Sequence, residues 1–295
     1  MARGTVAQQN VATIQMVTVR RRPAGFRRHI SAIAGGLLVV LLAGIGIIGP
    51  ALVPYKPDFT DLTSVLESPS MHHLFGTDEL GRDVLSRTVG GIRISILISC
   101  TAVGLAVVGG IPLGALAAYY RGRIADLILA LANILLTFPA IILAIIIVSV
   151  VGIGISGVII ATGIAMLPAI LRLTYSSVLA IKREEYVEAA RAIGVSDFRI
   201  IQRHLLPNAL SPVIVQATLG LGSVILTVAG LGFLGLGVQP PSPELGTLLS
   251  EARAYITVAP HMAIFPGFVV AALVLGFNLL GDGLRDALDP HQRSR

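Results

Sequence analysis

The sequence predicts an all-α polytopic membrane protein with six transmembrane helices, and three observations predict it. Hydrophobic residues make up 54% of the 295 positions while charged ones reach only 13%, about half the share of a soluble domain. Six long runs contain no Asp, Glu, Lys or Arg at all. The basic residues between those runs fall almost entirely on alternate connections. A water-soluble globule, a disordered chain and a collagen-like fibre are excluded by this composition. Cys100 is the chain's one cysteine, so it forms no intramolecular disulfide and no thiolate metal cluster.

The six runs extend approximately from Ile30 to Val53, Ile94 to Tyr120, Leu127 to Val151, Gly157 to Leu171, Pro212 to Val238 and Met262 to Gly281. A crossing helix needs about 20 apolar residues because the bilayer core offers no water to bare backbone groups. The fourth run is short and reaches Tyr175 if Arg172 snorkels to the interface. A β-barrel would alternate in blocks of about ten residues, which these continuous runs do not. The chain then divides into a basic tail (1–29), a first helix (30–53), an external loop (54–93), a core of five helices (94–281) and a closing tail (282–295).

Orientation follows from the basic residues. With the N-terminus inside, internal segments hold 17 of the 22, including Arg20, Arg21, Arg22, Arg27 and Arg28 before the first run. External segments hold only Lys56, Arg82, Arg87, Arg93 and Arg253. Both termini are therefore expected in the cytoplasm. The run after the basic tail is too long for a signal-peptide core and lacks a clear cleavage site, which makes it an uncleaved anchor. The net charge of +6 follows this topology and does not imply nucleic acid.

The spans carry little chemistry of their own. The two lysines, Lys56 and Lys182, do not follow glycine, so there is no phosphate-binding loop. Gly230–Leu231–Gly232–Phe233–Leu234–Gly235 has dinucleotide-like spacing but lies in an apolar run, where close helix packing explains it. The same holds for Gly110–Ile111–Pro112–Leu113–Gly114. No intramembrane carboxylate or histidine is present to harvest a proton gradient, which disfavours an ion-coupled carrier. No Ser–Lys, Ser–His or paired-Asp arrangement in the spans supports an intramembrane hydrolase. Ser95, Ser99, Thr101, Asn133, Thr137, Ser149, Thr162, Ser223, Thr227 and Asn278 are candidates for a polar lining, but each can equally bond its own helix. Substrate-binding residues are not assigned.

Two polar segments hold the information instead. The internal loop, about residues 174–211, predicts a helix over 182–193, a stop at Gly194, an N-cap at Ser196, and a second helix closed by Pro207. The external loop contains Gly76–Thr77–Asp78–Glu79–Leu80–Gly81–Arg82–Asp83–Val84–Leu85–Ser86–Arg87, whose Asp78, Glu79, Arg82 and Asp83 have spacings suited to pairing on a short helix. The adjacent His72 and His73 do not match zinc spacing and are expected to be solvated.

The internal loop resembles a known pattern. Glu188–Ala189–Ala190, Gly194, His204 and Leu206–Pro207–Asn208 are similar to the EAA motif of ABC importer permeases, with His204 where an aliphatic residue is usual. Together with the Gly76–Arg87 segment, the chain resembles the C-type permease subunit of dipeptide, oligopeptide and related nickel importers. That resemblance implies a type I ABC importer permease fold and transport of dipeptides or oligopeptides by alternating access, with a nickel chelate as the alternative cargo. It implies a second permease, two ATPase subunits and an extracytoplasmic substrate-binding protein as partners, with ATP and Mg²⁺ on the ATPases and no cofactor on this chain. Glu188 would contact the ATPase, Ala189 and Ala190 would permit close approach, Gly194 would turn the chain, and Leu206 and Pro207 would anchor the loop. The Gly76–Arg87 segment would either pair with itself as a structural cap or contact the binding protein or sister permease.

Overall fold

In the computed structural model, which describes residues 25–120 and 122–288 with side chains from residue 31, the architecture is helical throughout. The basic tail over residues 1–24, Arg121 and the end of the chain past residue 288 lie outside the described residues. The long helices are α1 (Gly25–Leu52), α2 (Val84–Tyr120), α5 (Ile155–Ile181), α8 (Leu206–Phe233) and α10 (His261–Leu288). Shorter ones are α3 (Arg123–Leu136), α4 (Ala140–Val151), α6 (Glu185–Ala192), α7 (Asp197–Ile200) and α9 (Leu245–Ala252).

Four boundaries differ from the sequence expectation, three of them for a local reason. The third apolar run is two helices, α3 and α4, bent by 100°. Pro139 has no N–H to donate and itself takes a ψ of 135°, outside the helical region, so the backbone turns there. α2 begins ten residues before its apolar run, at Val84, because Asp83 caps it: the Asp83 carboxylate accepts from the Ser86 backbone N–H at 2.7 Å. Its 37 residues reach about 55 Å, well beyond the hydrocarbon thickness. Pro207 does not end the second loop helix. A π-helical turn over Ile201–Leu205 carries α7 into α8, and Pro207 sits in the first turn of α8, where a missing N–H costs least. α5 also extends past Arg172 to Ile181.

Two apolar cores hold the bundle. One joins α2, α4, α5 and α8 through Ile98, Val103, Val148, Val158, Val224, Val228 and Leu231. The other joins α1, α2, α8, α9 and α10 through Leu42, Ile92, Ile225, Leu245, Leu248, Leu273 and Phe277. Glycines let the helices approach backbone to backbone, as the glycine-rich runs in the sequence imply. A Cβ on Gly114 of α2 would stand 2.4 Å from the Leu171 carbonyl of α5, and one on Gly232 of α8 would stand 2.5 Å from Glu244 Oε2. Gly114→Val should therefore force α2 and α5 apart, costing about 3 kcal/mol or more. A lowered unfolding temperature in detergent, with loss of folded yield, is the expected measurement.

Most of the hydroxyls considered for a polar lining bond within their own helices. Thr101, Thr137, Ser149, Thr162 and Thr227 each donate to a carbonyl three or four residues earlier. Ser95 is buried and donates to the Glu244 carboxylate at 2.9 Å.

Candidate functional site

The loop between α5 and α8 stands at one end of the bundle. A helix of eight residues is not stable alone. α6 exists because one face is packed against its own chain: Val187 is fully buried and Ala190 nearly so, against Ala118, Tyr119, Val178, Ile200 and Leu205. Tyr119, at the last turn of α2, clasps the loop from below. Its hydroxyl donates to the Asp197 carboxylate, and Lys182 and Arg191 lie 4.9 and 5.6 Å from its ring centre. Ser196 occupies the N-cap position of α7 but makes no capping bond with its side chain. Gly194 has φ of +81°, and a Cβ there would meet nothing, so the backbone conformation alone calls for glycine.

The other face of α6 is open. Glu188 and Ala189 are exposed, as are Ala192, Ile193 (81%) and Phe198 (68%). Ala189 and Ala190 thus do different things: Ala190 permits close approach to this chain's own core, while Ala189 leaves room beside Glu188 for something else. Asn208 donates from Nδ2 to the His204 carbonyl at 2.8 Å and to the Tyr186 hydroxyl at 3.1 Å, tying α6 to the first turn of α8. Leu206 is half-buried beside that core, and Pro207 is exposed. The structure therefore groups all of Glu188, Ala189, Ala190, Gly194, His204, Leu206, Pro207 and Asn208 into one knob, whose outer surface carries the exposed Ile193 and Phe198 among charges of both signs.

At the opposite end of α2, the Gly76–Arg87 segment is not the short helix its spacing predicts. Gly81, with φ of +71°, breaks the helix, and a Cβ on it would stand 1.7 Å from the Asp61 carbonyl. Gly76, with φ of +73°, is packed against the Glu67 carbonyl and the His261 ring. Asp78 nevertheless pairs with Arg82 at 2.7 Å, and also with Arg87 at 2.6 Å. Arg87 reaches Glu251 on α9 at 2.7 Å, and Arg82 reaches Glu79 at 2.9 Å. Burial, with Asp78 and Glu251 close by, raises the Glu79 carboxyl above its ordinary value. Asp78, Glu79 and Glu251 are near enough to hold a cation, and the Arg82 and Arg87 guanidiniums already pair with all three.

Thr77 is fully buried, donating to the Ser64 carbonyl and accepting from the Glu67 N–H at 2.8 Å, while its own carbonyl faces His261 Nε2 at 3.0 Å. His73 is buried rather than solvated, with Nδ1 3.0 Å from Asp83 Oδ2. Ser86 donates its hydroxyl to Asp83 at 2.7 Å. Thr77, Asp78, Arg82, Asp83, Ser86 and Arg87 are each no more than 5% exposed. These six residues brace one another within the loop, while Leu80 of the same segment is exposed.

One contact was missed by pattern reasoning. The Arg172 Nη1 of α5 donates to Asn133 Oδ1 on α3. The available signal was a basic residue nine places before the end of α5 at Ile181, with an exposed Asn on the preceding apolar run.

Comparison with known proteins places these features. Residues 110–294 match the family described as "Binding-protein-dependent transport system inner membrane component", and residues 20–69 match "N-terminal TM domain of oligopeptide transport permease C". The chain is 43% identical over 269 residues to the glutathione transport system permease protein GsiD of Pectobacterium atrosepticum, covering 91% of this chain and 89% of that one. It is 45% identical over 263 residues to the dipeptide transport system permease protein DppC of Alkalihalophilus pseudofirmus, covering 89% and 86%. Among solved structures it is similar to the inward-facing methionine ABC transporter MetNI, with a TM-score of 0.56 and 25% identity over 69% of this chain and 96% of that one.

Proposed function

Because the chain belongs to the inner-membrane-component family of binding-protein-dependent transport systems, we propose that it is one of two membrane subunits of an ABC importer for short peptides. Relatives named for dipeptide and for glutathione, itself a short peptide, support peptide cargo over a nickel chelate. The partners would be a second permease, two ATPase subunits that bind ATP and Mg²⁺, and an extracytoplasmic substrate-binding protein. Both termini and the α6 knob would face the cytoplasm, where the basic residues lie.

The observation that carries this reading is the two-faced α6. Val187 and Ala190 lock it to α2, α5 and α8, while Glu188, Ala189, Ile193 and Phe198 are exposed. An exposed apolar patch beside an acidic residue on a braced helix is suited to seating in a groove of a soluble subunit. When two ATPases close on ATP, the braced helix would carry their displacement into α2, α5 and α8. Free energy would enter the membrane subunit here, since its spans hold no carboxylate or histidine to titrate.

The test is reconstitution. In liposomes with all partners, ATP should drive uphill accumulation of a dipeptide or of glutathione. The chain alone, under a sodium or pH gradient, should accumulate neither. Uphill uptake by the isolated chain would overturn the proposal.

A further inference from the structure

We propose that the cavity between the end of α2 and the start of α3 is a binding site for an anionic phospholipid, which lays an acyl chain between the two helices and sets its phosphate at Arg123. Such a site needs the membrane and not the cargo, and so stands apart from the permease reading.

The cavity has a volume of about 510 Å³, within the range of small-molecule sites. Its depth in the bilayer follows from the chain itself. α2 ends at Tyr120, α3 begins at Arg123, and both belong to segments apolar enough to span, so the two residues joining them stand at a membrane face. Gly122, with φ of +97°, makes the reversal. The α6 knob stands at the same face, because Tyr119 in the last turn of α2 bonds to Asp197.

The lining changes character along that direction. Ala117 and Ala125 are buried and small, which leaves the space between the helices open. Leu116 lies about 6 Å along α2 from Tyr120, and Ile128 about 7.5 Å along α3 from Arg123, so the walls farther in are aliphatic. Tyr120 and Arg123, both exposed, border the cavity at the helix ends. Aliphatic walls, then a phenol, then a guanidinium match the order in which a phospholipid presents its chains, its glycerol region and its phosphate.

Charge selects the headgroup. Among the described residues no carboxylate lies within ion-pair distance of Arg123, and Asp126, three residues on, does not line the cavity. The planar N–H fork of a guanidinium fits two phosphate oxygens. A zwitterionic headgroup brings its own cation to that phosphate, whereas phosphatidylglycerol does not and gains more from Arg123. A soluble anion would leave the aliphatic walls uncovered.

The experiment puts benzoylphenylalanine, a photocrosslinker that inserts into C–H bonds, in place of Ile128 in the full transporter, held in bilayers of equal phosphatidylglycerol and phosphatidylcholine. Mass spectrometry of the illuminated chain should find phosphatidylglycerol adducts in about five-fold excess. The same probe in place of Leu37, on the exposed face of α1, should take the two lipids equally. Arg123→Gln should bring the ratio at position 128 down to that at position 37, and Arg123→Lys should retain most of the excess. A probe in place of Leu116 reads the same cavity from α2, so a misfolded Ile128 variant leaves the test intact. Equal adducts of both lipids, crosslinks to a protein subunit in place of lipid, no adduct at either position, or a ratio unmoved by Arg123→Gln would overturn the assignment.

Discussion

Glu188→Lys should leave the protein folded in the membrane while cutting ATP-driven uptake by about 100-fold. Glu188 is exposed on α6, so its replacement removes no internal contact and should move the unfolding temperature little. Reversing its charge at a docking surface places like against like, or breaks a pair, at the point where force would enter. Uptake, ATPase stimulation by loaded binding protein and retention of the ATPase on purification should fall together. Val187→Asp would be a different failure, since that residue is fully buried and its loss would unfold the knob itself. Normal uptake by Glu188→Lys would refute the docking role.

Arg87→Ala should be the most destabilising change at the other end. The guanidinium is 2% exposed and binds Asp78 and Glu251 at 2.6 and 2.7 Å. Removing it leaves the buried Asp78 and the half-buried Glu251 sharing Arg82, a cost of about 3 kcal/mol. Arg87→Lys should lose less, retaining the charge but not the fork that spans both acids. Thermal unfolding in detergent should rank the two below the unmodified protein in that order, with the loop between α1 and α2 becoming open to protease. Equal stability of all three would show that the cluster does not brace the cap.

The long apolar runs made the helices legible, because hydrocarbon permits little else. The left-handed turn at Gly194 was legible too, since it needs only local backbone chemistry. The break at Pro139 was hidden inside an uninterrupted apolar stretch, where hydropathy does not distinguish a straight helix from a bent one. The Asp78–Arg82 pair was readable from spacing, but its geometry was not, because a turn around Gly81 brings the same two residues together as a helix would. Glu251 could not be found at all, lying 164 residues from Arg87. For α6, the motif marked the segment, while the division of labour between Ala189 and Ala190 depends on packing against Tyr119 and Val178, which no local pattern records.

The unbroken length of α2 has a mechanical consequence. Near one tip, Tyr119 is gripped by the α6 region; near the other, Arg87 is bolted to α9; and the tightest crossing with α5 lies at Gly110 and Gly114. That crossing would act as a fulcrum, with arms from its midpoint at Pro112 of about 11 Å toward Tyr119 and about 38 Å toward Arg87. A small tilt at the short arm would be magnified roughly 3.5-fold at the far one. Tilted as one body about that crossing, α2 would move its two tips in opposite directions, and Pro112 lies inside the helix at the pivot itself.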